Sequence, residues 1–237
     1  MMKIASVSII PYLCCGWLLL ALPFLAYGES LTYREVEGAS IVTHILAVTT
    51  ATPGYRVELA SSRAGGGTVR QTFLTAADRS TLSWTFSDPE RQMEWSAELR
   101  ADAVILSGLT GSRKVDKKFK VGDLPWNQLF QMGLEPFAIS ASRGLKFCSI
   151  GTQGPGEMKM GKFTVSRQGG EKIKSRGKEI AAMRLRVSLS GLLSIFWHGD
   201  YWYRQSDGRF LRFRGKNRPG GPVAVSELVE EQGDGAE

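Results

Sequence analysis

The sequence predicts a mainly β fold: an antiparallel meander forming an incomplete, half-open β-barrel, with a short helical segment packed on its concave face. Three observations lead there. In Arg91–Arg100, Met93, Trp95, Ala97 and Leu99 alternate with Gln92, Glu94, Ser96, Glu98 and Arg100, the period of an extended chain with one apolar and one solvated face. Turn-forming dipeptides separate this run from others like it. One segment, residues 123–133, switches to helical spacing.

The chain opens on an export signal. Lys3 supplies the positive n-region, Ile9 to Leu25 is an apolar run, and Ala26-Tyr27-Gly28 offers small residues where a signal peptidase reads them. Residues 1–28 are therefore expected to be a signal peptide cleaved before Glu29, with an uncleaved membrane anchor as the alternative. Leu13 before Cys14, and the apolar residues after Cys15, argue against a lipid-anchoring cysteine. Cleavage leaves Cys148 alone, which excludes an internal disulfide and a Cys-rich metal site. A signal, a good-sized core and no disulfide point to a bacterial periplasm. Cys148 lies in the apolar run Leu145–Ile150 and reads as a small buried hydrophobe.

The strands follow in order. Ile41 to Val48, which carries His44, is strand-like. Tyr55, Val57 and Leu59 alternate with Arg56 and Glu58, and Gly65-Gly66-Gly67 then turns the chain. Leu82, Trp84 and Phe86 alternate with Ser83, Thr85 and Ser87, and Asp88-Pro89 leads into the Trp95 strand. After Gly111-Ser112, Val115, Phe119 and Val121 alternate with lysines, although Lys117 interrupts the apolar side. Met183, Leu185, Val187 and Leu189 alternate with Arg184, Arg186, Ser188 and Ser190. Gly169-Gly170 and Asp207-Gly208 read as further turns.

The helical segment is expected from about Leu124 to Ser142. Trp126, Leu129, Phe130 and Gly133 share a helical face, Asp123 is a fair cap, and Pro125 suits a first turn. Glu135-Pro136 begins a second turn of helix. Residues 29–214 form a single half-barrel domain on this reading. Residues 215–237 lose the alternation, carry Pro219-Gly-Gly-Pro222 and five acidic residues, and read as a flexible tail in which Val223 to Leu228 adds at most a weak edge strand.

The 30 Lys and Arg exceed the 23 Asp and Glu by seven. Behind an export signal, that excess favours anionic envelope material over nucleic acid as a partner. Lys118, Lys120, Arg212 and Arg214 are the expected contacts for an anionic surface; otherwise such clusters are solvated strand faces or charge-protected edges.

Catalytic motifs are scarce. Gly156-Glu-Met-Lys-Met-Gly161-Lys162-Phe163 nearly spells a phosphate-binding loop, but Phe163 lacks the required hydroxyl and Thr164-Val-Ser166 continues as a strand. The histidines are His44 and His198. His198 beside Asp200 is the sole candidate for a hydrolase, and a strand corner at Gly199 is the better reading. No catalytic residue, cofactor or metal site is expected. The aromatic residues are numerous. They are ordinary core formers, or else Trp84, Trp95, Trp126, Phe130, Phe137, Trp197 and Trp202 line a hydrophobic ligand site beneath the helix.

Leu124-Pro-Trp-Asn-Gln-Leu-Phe130, Phe196-Trp-x-x-Asp-Tyr-Trp202 and Asp207-Gly-Arg-Phe-Leu-Arg212, placed on an exported meander, resemble uncharacterised envelope proteins distantly related to the outer-membrane lipoprotein carriers. The resemblance spans Tyr33 to Arg214. It implies an unclosed barrel with helices plugging its concavity, and in the carriers that concavity holds acyl chains. No ligand-binding motif matches position by position. The expectation is therefore a non-enzymatic, monomeric periplasmic carrier for a lipid, a lipoprotein acyl chain or another apolar ligand. The alternative is an assembly partner of an envelope complex with no ligand cavity.

Overall fold

The structure, a computed structural model, describes residues 28–152, 157–195, 197–217 and 220–233. The expected signal peptide with Cys14 and Cys15, Gly156 of the glycine-rich loop, and Phe196 lie outside the described residues. Eight strands come first: β1 (Gly28–Glu37), β2 (Ser40–Ala51), β3 (Gly54–Arg63), β4 (Thr68–Ala76), β5 (Thr81–Asp88), β6 (Met93–Arg100), β7 (Ala103–Thr110) and β8 (Arg113–Lys120). Two short helices follow, α1 (Phe130–Gly133) and α2 (Glu135–Ile139). Then come β9 (Gly144–Thr152), β10 (Met158–Ser175), β11 (Lys178–Leu189), β12 (His198–Arg204), β13 (Phe210–Lys216) and β14 (Val223–Gln232), with a 3-10 turn at Gly191–Ile195.

All fourteen strands form one antiparallel sheet in the order β8-β7-β6-β5-β4-β3-β2-β1-β14-β13-β12-β11-β10-β9. Two meanders run outward from a shared centre, where the first strand pairs with the last. The sheet does not close. Its two ends nonetheless approach: Lys117 Nζ on edge strand β8 donates to the carbonyl of Met158 on β10, the strand next to the other edge, at 3.2 Å. Lys117, which interrupts the apolar side in sequence, therefore reaches across to the strand next to the far edge of the sheet.

Register lines the apolar side chains into rows on the inner face. Val57, Phe73, Trp84, Ala97 and Leu106 are successive cross-strand partners from β3 to β7, and all are buried. Phe86 stacks on Trp95 with ring centroids 4.2 Å apart, and Trp84 meets Trp95 edge-on at 6.0 Å. In the second meander Val165 pairs with Val187, Leu185 with Tyr201, and Tyr201 with Phe213.

Three expectations are corrected. The helix does not start at Leu124. Residues 124–129 are largely extended: Trp126 makes a parallel bridge to Cys148, the Cys148 amide donates to Pro125 O, the Asn127 amide to Cys148 O, and the Thr81 amide to Trp126 O. Pro125 also disfavours helix at Leu124. Edge strand β9 needs partners, and these long-range hydrogen bonds outweigh the local helical signal. Helix begins at Phe130, and Pro136 sits in the first turn of α2, as Glu135-Pro136 suggested.

The supposed tail is the second correction. Val223–Gln232 is a central strand paired on both sides, with Tyr33 opposite Leu228 and Arg212 opposite Glu227. Its acidic residues look like those of a disordered tail in sequence. In the fold they are counter-charges: Glu227 pairs with Arg212 at 2.8 Å and Glu231 with Arg204 at 2.7 Å. Thirdly, Gly169-Gly170 does not turn the chain. It marks a bulge within β10, where the register with β11 shifts between Arg167 and Gly169.

Two consequences can be measured. Gln128 accepts from the Ile150 amide (2.9 Å) and from Trp126 Nε1 (3.0 Å), and its Nε2 donates to Ile150 O. Gln128→Leu orphans these buried groups and should cost roughly 2–4 kcal/mol, read as a lower urea midpoint with an unchanged slope. Ending the chain at Pro222 removes the central strand, so circular dichroism should show loss of the cooperative β transition rather than the native-like melt of a protein shorn of a tail.

Candidate functional site

Most of the aromatic residues expected to line a ligand cavity pack against one another. Trp84, Trp95, Trp126 and Phe137 are buried among their neighbours, and Trp126 is 0% exposed. Phe130, half-buried on α1, sets its ring against Phe147 (4.9 Å), Phe163 (5.4 Å) and Tyr201 (6.1 Å). The space between the helices and the sheet is thus occupied by side chains of the chain itself.

Trp197 and Trp202 differ, since both line a groove of about 540 Å³. Along β12 the alternation turns Gly199, Tyr201 and Tyr203 inward and His198, Asp200 and Trp202 outward. The outward row meets Arg184 on β11 and Arg214 on β13. Trp202 Nε1 donates to Glu171 Oε1 at 2.6 Å, and the Arg184 guanidinium lies 5.5 Å from the Trp202 ring. Trp197 Nε1 donates to Lys216 O at 2.5 Å. Ile195, 79% exposed, and Val223 complete an apolar lip.

Asp200 is an ionic anchor. It accepts from Arg184 Nη2 at 2.7 Å and from Arg186 Nε at 2.9 Å. Partial burial pushes its carboxyl up, but the hydrogen bonds of Arg186 and Arg184 outweigh this and hold it below the usual carboxylate range. A carboxylate so engaged fixes two guanidinium groups rather than orienting an imidazole. His198 sits two residues away with its side chain exposed.

The expected anionic-contact residues separate. Arg214 lines the groove. Arg212 is paired with Glu227 and also donates to Lys174 O at 2.8 Å. Lys118 and Lys120 lie on edge strand β8, away from the groove. Cys148 is buried, and burial pushes its thiol up to about 11, which leaves it unreactive. Among the described residues no group of three or more His, Cys, Asp or Glu side chains could hold a metal ion.

A second cluster had no sequence signal. Arg209, at the β12–β13 turn, contacts Glu29 (2.6 Å), Glu231 (3.4 Å) and Glu135 (3.5 Å), while Arg79 reaches Glu135 from the β4–β5 turn at 3.7 Å. Arg209 and Glu29 alone lie 180 residues apart in the chain, so no spacing rule could have grouped the cluster. Glu135 opens α2, and the cluster holds that end of the helix. Arg167 holds the other end by donating to the carbonyls of Phe137, Ala138, Ser140 and Ser142. On the inner face of β1–β3, His44 Nδ1 bonds Ser61 Oγ at 2.8 Å and His44 Nε2 lies 3.7 Å from Glu35. Burial raises the Glu35 carboxyl, but hydrogen bonds from His44 and Asn217 bring it below its ordinary value.

No protein-family model and no curated protein matches the chain. Among solved structures it is similar to a hypothetical lipoprotein, YmcC, from Escherichia coli (K12), with 8% identity, 86% of this chain and 84% of the other covered, and a TM-score of 0.42. It is also similar to a putative outer membrane lipoprotein-sorting protein domain from Vibrio parahaemolyticus, with 11% identity, 90% and 88% covered, and a TM-score of 0.29.

Burial pushes the Glu135 carboxyl up to about 7, against the pull of Arg209 and Arg79. Its folded value exceeds the ordinary 4.5, so the stability tied to its protonation is fully present below about 4.5 and is lost as pH rises through about 7. Glu135→Gln cannot ionise. Its thermal midpoint should exceed that of the parent at pH 8, by an amount equivalent to about 1–3 kcal/mol, and the gap should close by pH 5. A variant that is less stable at pH 8 would show that the ion pairs dominate instead.

Proposed function

We propose that this chain is a non-enzymatic binding module of the bacterial periplasm, taking an acyl-bearing anionic molecule of the envelope in the groove between Trp197 and Trp202. One observation carries the reading. The groove sets two indoles, Ile195 and Val223 beside the cations of Arg184, Arg214 and Lys216. An apolar strip beside cations suits a ligand with a hydrocarbon chain and an acidic head. Arg184 is tied to Asp200, which leaves Arg214 and Lys216 to meet the ligand's charge. The packed interior supports placing the ligand on this outer face rather than under α1 and α2. It equally favours a second reading, in which the groove receives an acidic, amphipathic segment of an envelope protein. No helix among the described residues is long and apolar enough to cross a membrane.

Titration with 11-(dansylamino)undecanoic acid tests the proposal. Micromolar binding, with energy transfer from tryptophan to dansyl, is expected in the parent. Arg214→Glu combined with Lys216→Glu should weaken it at least tenfold. No binding, or binding indifferent to the double substitution, would remove the fatty-acid reading and leave the protein-segment one.

A further inference from the structure

The outer face of the first meander carries a second groove, of about 490 Å³, across β4 to β7. Its composition differs from that of the first. Thr72 faces Thr85, Thr85 faces Ser96, and Ser96 faces Ser107, so four hydroxyl side chains form one row at right angles to the strands. At the ordinary strand spacing this row runs roughly 14 Å, longer than one sugar ring. A parallel row on the same face holds Arg70 and Glu94 on either side of Ser87. Both rows line the groove.

No hydrogen bond or ion pair joins these hydroxyls, Arg70 or Glu94 to side chains among the described residues. Two other exposed pairs on this sheet do meet: Arg56 with Glu58 and Arg100 with Glu98, both at 2.9 Å. Arg70 and Glu94 stand two strands apart, on either side of Ser87, and are not paired with each other. Gly108 lies between the rows on β7. A Cβ there would come within 2.2 Å of Glu94 O and 2.5 Å of Trp95 Cα, so the missing side chain lets β6 and β7 draw together at the groove floor.

We propose that this groove is a saccharide-binding site for a linear, uncharged polysaccharide strand laid across β4 to β7. Hydroxyl side chains both donate and accept, as sugar hydroxyls do. Arg70 and Glu94 each offer several contacts to such a chain, and their charges cancel. That balance disfavours a phosphate-bearing or acidic ligand. The site is separate from the groove at Trp197 and Trp202, and neither reading depends on the other.

The test is an amide chemical-shift titration of the mature protein with tetra-N-acetylchitotetraose and, separately, cellotetraose. Shifts confined to β4–β7 with either sugar are expected. Thr85→Val with Ser96→Ala, both exposed positions, should reduce affinity at least tenfold while leaving the circular dichroism spectrum unchanged. Arg214→Glu with Lys216→Glu should leave sugar binding intact. The site is refuted by an absence of shifts at several millimolar of both sugars, by shifts that map to β10–β14, or by full affinity in the Thr85/Ser96 variant.

Discussion

The one connection that departs from the meander, from β8 to β9, joins the two outermost strands of the sheet. A wide sheet with bare edges is a template for association with other chains. Here the connection itself dresses one edge. Pro125, Trp126 and Asn127 lie along β9 as a short parallel strand, and Gln128 extends the pairing with a side-chain amide that imitates a peptide group. The same residues bond Thr81 at the start of β5. The other edge, β8, is guarded by lysines. The curl of the sheet, the seating of α1 and α2 and the filled interior all follow from this stitching.

Electrostatics is arranged in two tiers. Outside, ion pairs are local and exposed, and each is worth little. Inside, at the foot of α2, Arg209 and Glu231 are nearly sealed from water, with side chains 8% and 2% exposed. Such burial is costly unless every charge has partners. The geometry answers with shared contacts: Arg204 and Arg176 also meet Glu231, and Arg79 also meets Glu135. The cluster ties β1, α2, the β12–β13 turn and β14 into one knot. It fixes which surfaces meet more than it adds stability.

Much of the sheet was legible because its strands announce themselves through a period of two. The runs around Tyr55, Trp84, Trp95 and Leu185 lie where the alternation put them, and the lysine-rich strand is indeed a charged edge. The failures share a cause. The Leu124 helix and the acidic tail were judged from local composition, and distant partners decided both: Cys148 and Thr81 for one, Tyr33 and Arg212 for the other. The candidate site was half legible. Trp197, Trp202 and Arg214 were singled out and do share a groove. Arg184 and Glu171 were missed, because a groove on an outer face depends on register and coiling rather than on any one strand's pattern.

The pairing of β1 with β14 governs the order of assembly. A chain made from its amino end presents β1 before β14, and one flank of β1 stays bare until β14 has emerged. The first meander can zip up early, since each hairpin there closes on its neighbour. The second cannot be docked, nor the charged knot completed, before β14 has emerged. Until then the inner flank of β1 stays without its partner strand, and the two halves of the sheet remain unjoined.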